Sequence, residues 1–287
     1  MQIPRQPRTS AALAAALVSL TACGGAGDAS EEAPASTASA EPSPSPTAES
    51  GLAGLVDALA ETTAESDSFT LEASATQLGT DSGTPSVTST YHVQGADSPD
   101  RVTSTVPGLG ERLLQTMRMT GQDPGLTAEE LSSVTMIIDP DGGEPIISNS
   151  HGAFPGGTEW VRGLDGVQAP PPPPLVPGDL APLLEELADE ELVAEKGSEN
   201  VGGVTATLVE GELEQAEVEG LGPGRETVEG MLGGAPADVV GFSAWIGEDG
   251  APVRVEVADA EVEVAFAFSD VGSTSFEMPG QEEIHRL

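Results

Sequence analysis

The sequence predicts an α+β domain with helices packed on one face of a curved, mostly antiparallel sheet. Three observations carry this. From about residue 68, apolar side chains recur at every second position over many short segments. Turns rich in Gly, Asp and Pro separate those segments. Helical patterns come in blocks rather than between successive strands, which argues against a doubly wound parallel sheet.

Leu52, Leu55, Val56 and Leu59 share a helical face, so a first helix is expected to about Thr63. Phe69, Leu71, Ala73 and Ala75 then alternate with Thr70, Glu72, Ser74 and Thr76. That period of two predicts a half-buried strand over Ser68–Leu78. Ser86–Gln94 and Arg101–Val106 continue an antiparallel meander. Glu111–Met119 suits either helix or strand, and helix is preferred. Thr127 and Glu130 have the spacing of a capping box before Leu131. Val134–Ile138 and Pro145–Asn149 are expected to pair through a hairpin turn at Asp141-Gly142-Gly143. Trp160-Val161-Arg162 is expected to begin a connection.

Pro170–Pro174 and Pro177 form a proline-rich loop, best read as a stiff polyproline spacer. Asp179 is expected to cap a helix whose apolar face is Leu180, Leu183, Leu184 and Leu187. Strands follow over Leu192–Lys196 and Val204–Leu213, with a turn at Gly202-Gly203, then a loop and a short helix over Glu226–Leu232. Val239–Ile246 is the best-defined strand. Val253, Val255 and Val257 share one side of the next, and Val262, Val264, Phe266 and Phe268 one side of the last. Phe276–Pro279 is expected to close the sheet edge. The total is eight to ten strands and three or four helices.

Upstream lies a different kind of sequence. Arg5 and Arg8 precede an apolar run, Ala11–Leu20, that ends at Leu20-Thr21-Ala22-Cys23. A basic start, a run of about ten apolar residues and small residues at the end define a secretory signal, too short to span a bilayer. Cys23 is the only cysteine, so no intrachain disulfide can form. The ending resembles the lipobox of bacterial lipoproteins. That resemblance implies cleavage before Cys23, acylation of its thiol with chains such as palmitate, and anchoring to the outer face of the cell membrane. Residues 23–50 are almost entirely Ala, Ser, Pro, Glu, Thr, Gly and Asp and are expected to be a disordered tether. The expected organisation is a signal peptide over 1–22, a lipidated tether over 23–50 and one domain over 51–287.

The chain carries 48 acidic and 10 basic residues, a formal net charge of −38. Such a surface excludes nucleic acid as a partner and disfavours lying flat on an anionic membrane. Salt adaptation is the simplest reading of the acidity. The turns at Asp139-Pro140-Asp141 and Glu248-Asp249-Gly250 lack the alternating acids and closing Glu of a calcium loop. His92, His151 and His285 lie far apart in the sequence without metal-ligand spacing. No catalytic motif stands out, so neither an enzyme nor a cofactor is expected, and the chain is expected to be a monomer.

In order along the chain come Glu159-Trp160-Val161-Arg162, the acidic leucine helix, and Glu195–Thr205 with its Gly197, Glu199, Val201 and Gly203. Then follow Ala244-Trp245-Ile246-Gly247 with Gly250 and Arg254, and Phe268-Ser269-Asp270 with Met278-Pro279. This series resembles the actinobacterial LppX/LprG-type lipoproteins, which share a LolA-like fold. The resemblance spans most of residues 51–280, with residues 108–131 and the proline loop as insertions. It implies a half-barrel of antiparallel strands with helices across its open side. An apolar cavity between them would take lipid or lipoglycan acyl chains for envelope transport. The stripe Val262, Val264, Phe266 and Phe268, with Trp245, could line such a cavity or equally form a filled core. The alternative is an envelope structural or interaction lipoprotein without ligand.

Overall fold

A computed structural model describes residues 51–64, 66–79, 87–119, 125–139, 143–152, 157–164, 167 and 169–287. Cys23, the tether and the Asp141-Gly142 part of the expected hairpin lie outside the described residues.

Alternating side chains produce the sheet. In chain order its strands are β1 (Phe69–Gln77), β2 (Val87–Val93), β3 (Asp100–Thr105), β4 (Ser133–Ile138), β5 (Ile146–Ser148) and β6 (Trp160–Arg162). They continue with β7 (Val193–Val201), β8 (Val204–Leu213), β9 (Val240–Gly247), β10 (Pro252–Ala258), β11 (Val262–Ser269) and β12 (Ile284–Arg286). The spatial order is β12-β6-β5-β4-β3-β2-β1-β11-β10-β9-β8-β7, an open sheet whose pairs are antiparallel except β12 with β6. The helices are α1 (Leu52–Ala64), α2 (Leu109–Met119), α3 (Ala128–Ser132), α4 (Pro177–Asp189), α5 (Gln215–Gly220) and α6 (Pro223–Leu232). This is the expected α+β class: a mostly antiparallel open sheet with helices against one face.

Helices α1, α4 and α6 cover the β7–β11 half of that inner face. α4 packs between α1 and α6, and α6 rests on β10 and β11. Leu59 of α1, Leu180, Leu184 and Leu187 of α4 and Val228 of α6 meet Val209, Ala244, Ile246, Val255, Val257 and Phe266 of the sheet, all 0% exposed. Each such aliphatic side chain contributes about 1.5–3 kcal/mol by leaving water.

Several elements differ from expectation. Trp160–Arg162 is not a connection but strand β6, between β5 and β12. Asp179 does not cap α4. Pro177 occupies the first turn, where a missing N–H costs nothing, and Val176 is the cap residue without a side-chain bond. Helix α5 was not expected, because six residues are too few to show a helical period. A bulge between Pro252 and Arg254 takes Val253 out of the row formed by Val255 and Val257. The sheet edge is closed by β12 rather than by Phe276–Pro279. The tail before β12 crosses the outer face instead: the Phe276 N–H donates to Gln94 Oε1 at 3.0 Å, and the Arg101 guanidinium sits 5.0 Å over the Phe276 ring.

Candidate ligand-binding site

Register sorts the inner face of β1–β4 into rows. The first is Phe69–Val93, continued by Asp100 and Ile138. The second is Leu71–Tyr91–Val102–Met136, the third Ala73–Ser89–Ser104–Val134, and the fourth Ala75–Val87. The second row is closed at its centre, with Leu71 at 0%, Tyr91 at 5% and Val102 at 2% exposure. Beyond it Ala73, Ser89, Ser104, Ala75 and Val134 are only half-buried. Ser89 Oγ and Ser104 Oγ lie 3.0 Å apart across that more open stretch.

Phe69, Val93 and Asp100 of the first row form one side of a pocket of about 350 Å³. Phe69 and Val93 supply the sheet side, and Val176, Pro177 and Gly178 at the start of α4 supply the other. The loops at Ser66-Asp67 and Gly95–Ser98 complete the rim. The size falls in the range of small-molecule sites, and an apolar lining with few polar groups is their usual chemistry. Gly95 is required here: its φ is +119°, and a Cβ would lie 3.2 Å from Asp67 Oδ2.

Two carboxylates line this pocket, Asp67 on its rim and Asp100 on the sheet side; for Asp100 the environment is the more distinctive. Burial pushes its pKa up, against the opposing effect of the Gln94 backbone N–H, which donates to it. Its Oδ1 is buried and has no hydrogen-bond partner. Burial likewise raises Asp179 in the first turn of α4, and raises the Tyr91 hydroxyl in the row behind the pocket.

The residues singled out from sequence separate. Val264, Phe266 and Phe268 do face the helices, together with the half-buried Val262. Phe266 is 0% exposed, however, so it touches neither solvent nor a void that admits water. It belongs to filled core. Phe268 stands behind the pocket, its ring centroid 6.3 Å from that of Phe69. Trp245 is on the other face of the sheet, because its neighbours Ala244 and Ile246 point inward. There its Nε1–H donates to Glu199 Oε1 at 2.5 Å, and the Arg254 guanidinium lies 6.0 Å from its ring. Trp245 therefore lines no cavity between sheet and helices. Phe69 and Val93 were visible in sequence only as members of alternating stripes. Asp100, Val176 and Pro177 carried no signal.

Among the described residues no group of three or more His, Cys, Asp or Glu side chains is placed to hold a metal ion. No described helix is long and apolar enough to cross a membrane.

The chain is similar to the Mycobacterium tuberculosis lipoprotein LppX, at 12% identity and a TM-score of 0.43, over 78% of this chain and 97% of that one. It is similar to LprF of Mycobacterium bovis at the same identity and score, over 80% of this chain and 96% of that one. A LolA superfamily protein from Nitrosomonas europaea follows at 9% identity and a TM-score of 0.25, over 80% and 96% of the two chains. No family model and no curated protein matches the sequence.

Proposed function

We propose that the chain is a membrane-anchored, non-catalytic lipoprotein. On this reading it holds a hydrophobic ligand, the acyl chains of a lipid or lipoglycan, on the helix-facing side of its sheet and carries it through the envelope. The observation that supports this is the pocket between Phe69 and Val93 of the sheet and Val176–Gly178 of α4. An apolar opening between sheet and helix suits an alkyl chain, since each buried methylene contributes about 0.8 kcal/mol. The anchor reading rests on Leu20-Thr21-Ala22-Cys23 and on the polar tether that follows, with residues 1–22 removed.

Native mass spectrometry on the purified chain tests the ligand. Co-purified lipid is expected, and Val93→Trp, which fills the pocket, should abolish it while the fold persists by circular dichroism. Absence of lipid from the unsubstituted chain, or its retention by the filled variant, would remove the carrier reading. Membrane fractionation tests the anchor separately: Cys23→Ala should release the protein into the medium.

The second reading is an envelope interaction lipoprotein without ligand. It is favoured by the β7–β11 half of the inner face, where Ala244, Ile246, Val255, Val257 and Phe266 are sealed against the helices at 0% exposure. Absence of any bound lipid would favour it.

A further inference from the structure

The pocket at the start of α4 has apolar walls and charge of one sign. Phe69, Val93, Val176 and Pro177 supply apolar surface, and Asp67 and Asp100 are its charged groups. Among the described residues no Lys, Arg or His lines it. Arg101, next to Asp100 in the chain, is on the other face of the sheet, where its guanidinium sits 5.0 Å over the Phe276 ring. His92, next to Val93, also faces that way, with Nδ1 3.3 Å from Thr70 Oγ1. No basic side chain of the lining balances the two carboxyls.

The lining is rich in acceptors and short of donors. Asp100 Oδ1 is buried without a partner. Ser66 Oγ already donates to the Thr62 carbonyl at 2.7 Å. A helix start ordinarily offers its N–H groups to an anion. At the start of α4, however, Pro177 has no N–H. The Asp179 N–H turns back to the Val176 carbonyl at 3.1 Å, and Asp179 adds a carboxyl of its own to the first turn. An anionic end group entering here meets further acids. A hydroxyl or an ammonium meets acceptors, and a buried acceptor without a partner is costly.

We propose that this pocket selects an alkyl chain whose polar end is a hydrogen-bond donor without negative charge, with Asp67 and Asp100 as the acceptors, and turns away chains that end in carboxylate or phosphate. The alkyl part lies against Phe69 and Val93, and the donor end reaches the carboxyls at the rim and the sheet. The selectivity rests on the reading of this pocket as the ligand site, and it narrows the ligand to a lipid alcohol or a lipid amine.

The test titrates the isotope-labelled full chain at neutral pH with three probes of equal chain length, 1-octanol, octylammonium and octanoate. The amide shifts of Gly95 and Gly178, both in the lining, report occupancy of this pocket. Octanol and octylammonium should bind at least about tenfold more tightly than octanoate, as expected for a repulsive charge at short range. Replacing both acids, Asp67→Asn with Asp100→Asn, should bring octanoate to within about twofold of octanol, with the fold checked by circular dichroism. Octanoate binding as tightly as octanol to the unsubstituted chain overturns the selectivity and leaves the carrier reading standing; that comparison needs no variant. Shifts absent with all three probes overturn the carrier reading and the selectivity together. A tenfold preference that persists in the folded double variant overturns the assignment to the two carboxyls. Whichever of octanol and octylammonium binds more tightly assigns the donor as hydroxyl or ammonium, and either order supports the proposal.

Discussion

Glu186 of α4 caps the start of α6: its Oε2 accepts the Gly224 backbone N–H at 2.9 Å, and its Oε1 accepts that of Gly222. A charged acceptor at a helix N-terminus satisfies orphan N–H groups and complements the dipole. A Cβ at Gly224 would lie 2.6 Å from Glu186 Oε2, so a side chain there would displace the capping carboxylate. The contact ties α6, which rests on β10 and β11, to α4. Glu186→Ala should cost about 1–2 kcal/mol, the usual value of a lost cap, and Glu186→Gln less. Chemical denaturation measures both; an Ala variant unchanged in its midpoint would remove this linkage.

Gly110 controls whether α2 rests on α3. With backbone oxygen 1.7 Å from a would-be Cβ, Gly110→Ala cannot be absorbed by a side-chain movement. Amide exchange over 109–119 should accelerate by at least about tenfold, corresponding to a loss of about 1.4 kcal/mol, while exchange in β8–β10 stays as it was. Acceleration spread evenly over the domain would show that α2 is part of the global fold.

The Asp100 carboxyl gives a pH dependence with a definite sign. Burial raises its pKa above the ordinary 3.8, so the folded state binds its proton more tightly than the unfolded chain. Stability from this group is greatest below 3.8. It falls as pH rises from there through the raised folded value, and stays lower at neutral pH. Asp100→Asn should therefore gain in thermal midpoint at pH 7, and the gain should shrink as the pH approaches 3.8. Glu61→Gln, at an exposed position of α1, controls for removing one charge. Equal gains in the two variants would deny the burial effect.

His92 has the opposite ionisation. Burial, then the nearby Arg101 guanidinium, lowers its pKa below 6.5, with Asp270 opposing. The unfolded chain takes up the proton first, so stability falls as pH drops below 6.5 toward the lowered folded value. His92→Gln should flatten the stability profile just below pH 6.5. A profile unchanged by the substitution would remove His92 from it.

A net charge of −38 makes self-repulsion large. Added sodium chloride should raise the thermal midpoint, most steeply while the screening length falls from about 30 Å to about 10 Å. A flat response would contradict salt adaptation.

Local chemistry was legible wherever neighbouring residues alone decide it. Period-two alternation marked β1 and β11, and the apolar stripe marked α1, because side-chain direction follows backbone period. The Thr127 and Glu130 spacing marked the α3 start, where Glu130 N–H reaches Thr127 Oγ1 at 3.2 Å and Thr127 N–H reaches Glu130 Oε2 at 2.7 Å. The Leu20-Thr21-Ala22-Cys23 motif is likewise local and lies outside the described residues.

Tertiary structure decided the rest. The three-residue strands β6 and β12 show no period, and Ile284 meets Trp160 only after the tail has crossed the outer face. One position of alternation turned Trp245 away from the helices while Ala244 and Ile246 turned inward, a choice made by which face of β9 the helices cover. By itself the sequence determined that Val264, Phe266 and Phe268 share a face. Whether that face met a void or a helix was decided by α4 and α6, which sealed Phe266. The start of α4 left its opening at Phe69 and Val93 instead. Periodicity encodes which side is apolar; what covers that side depends on contacts between residues distant in the chain, which no local pattern records.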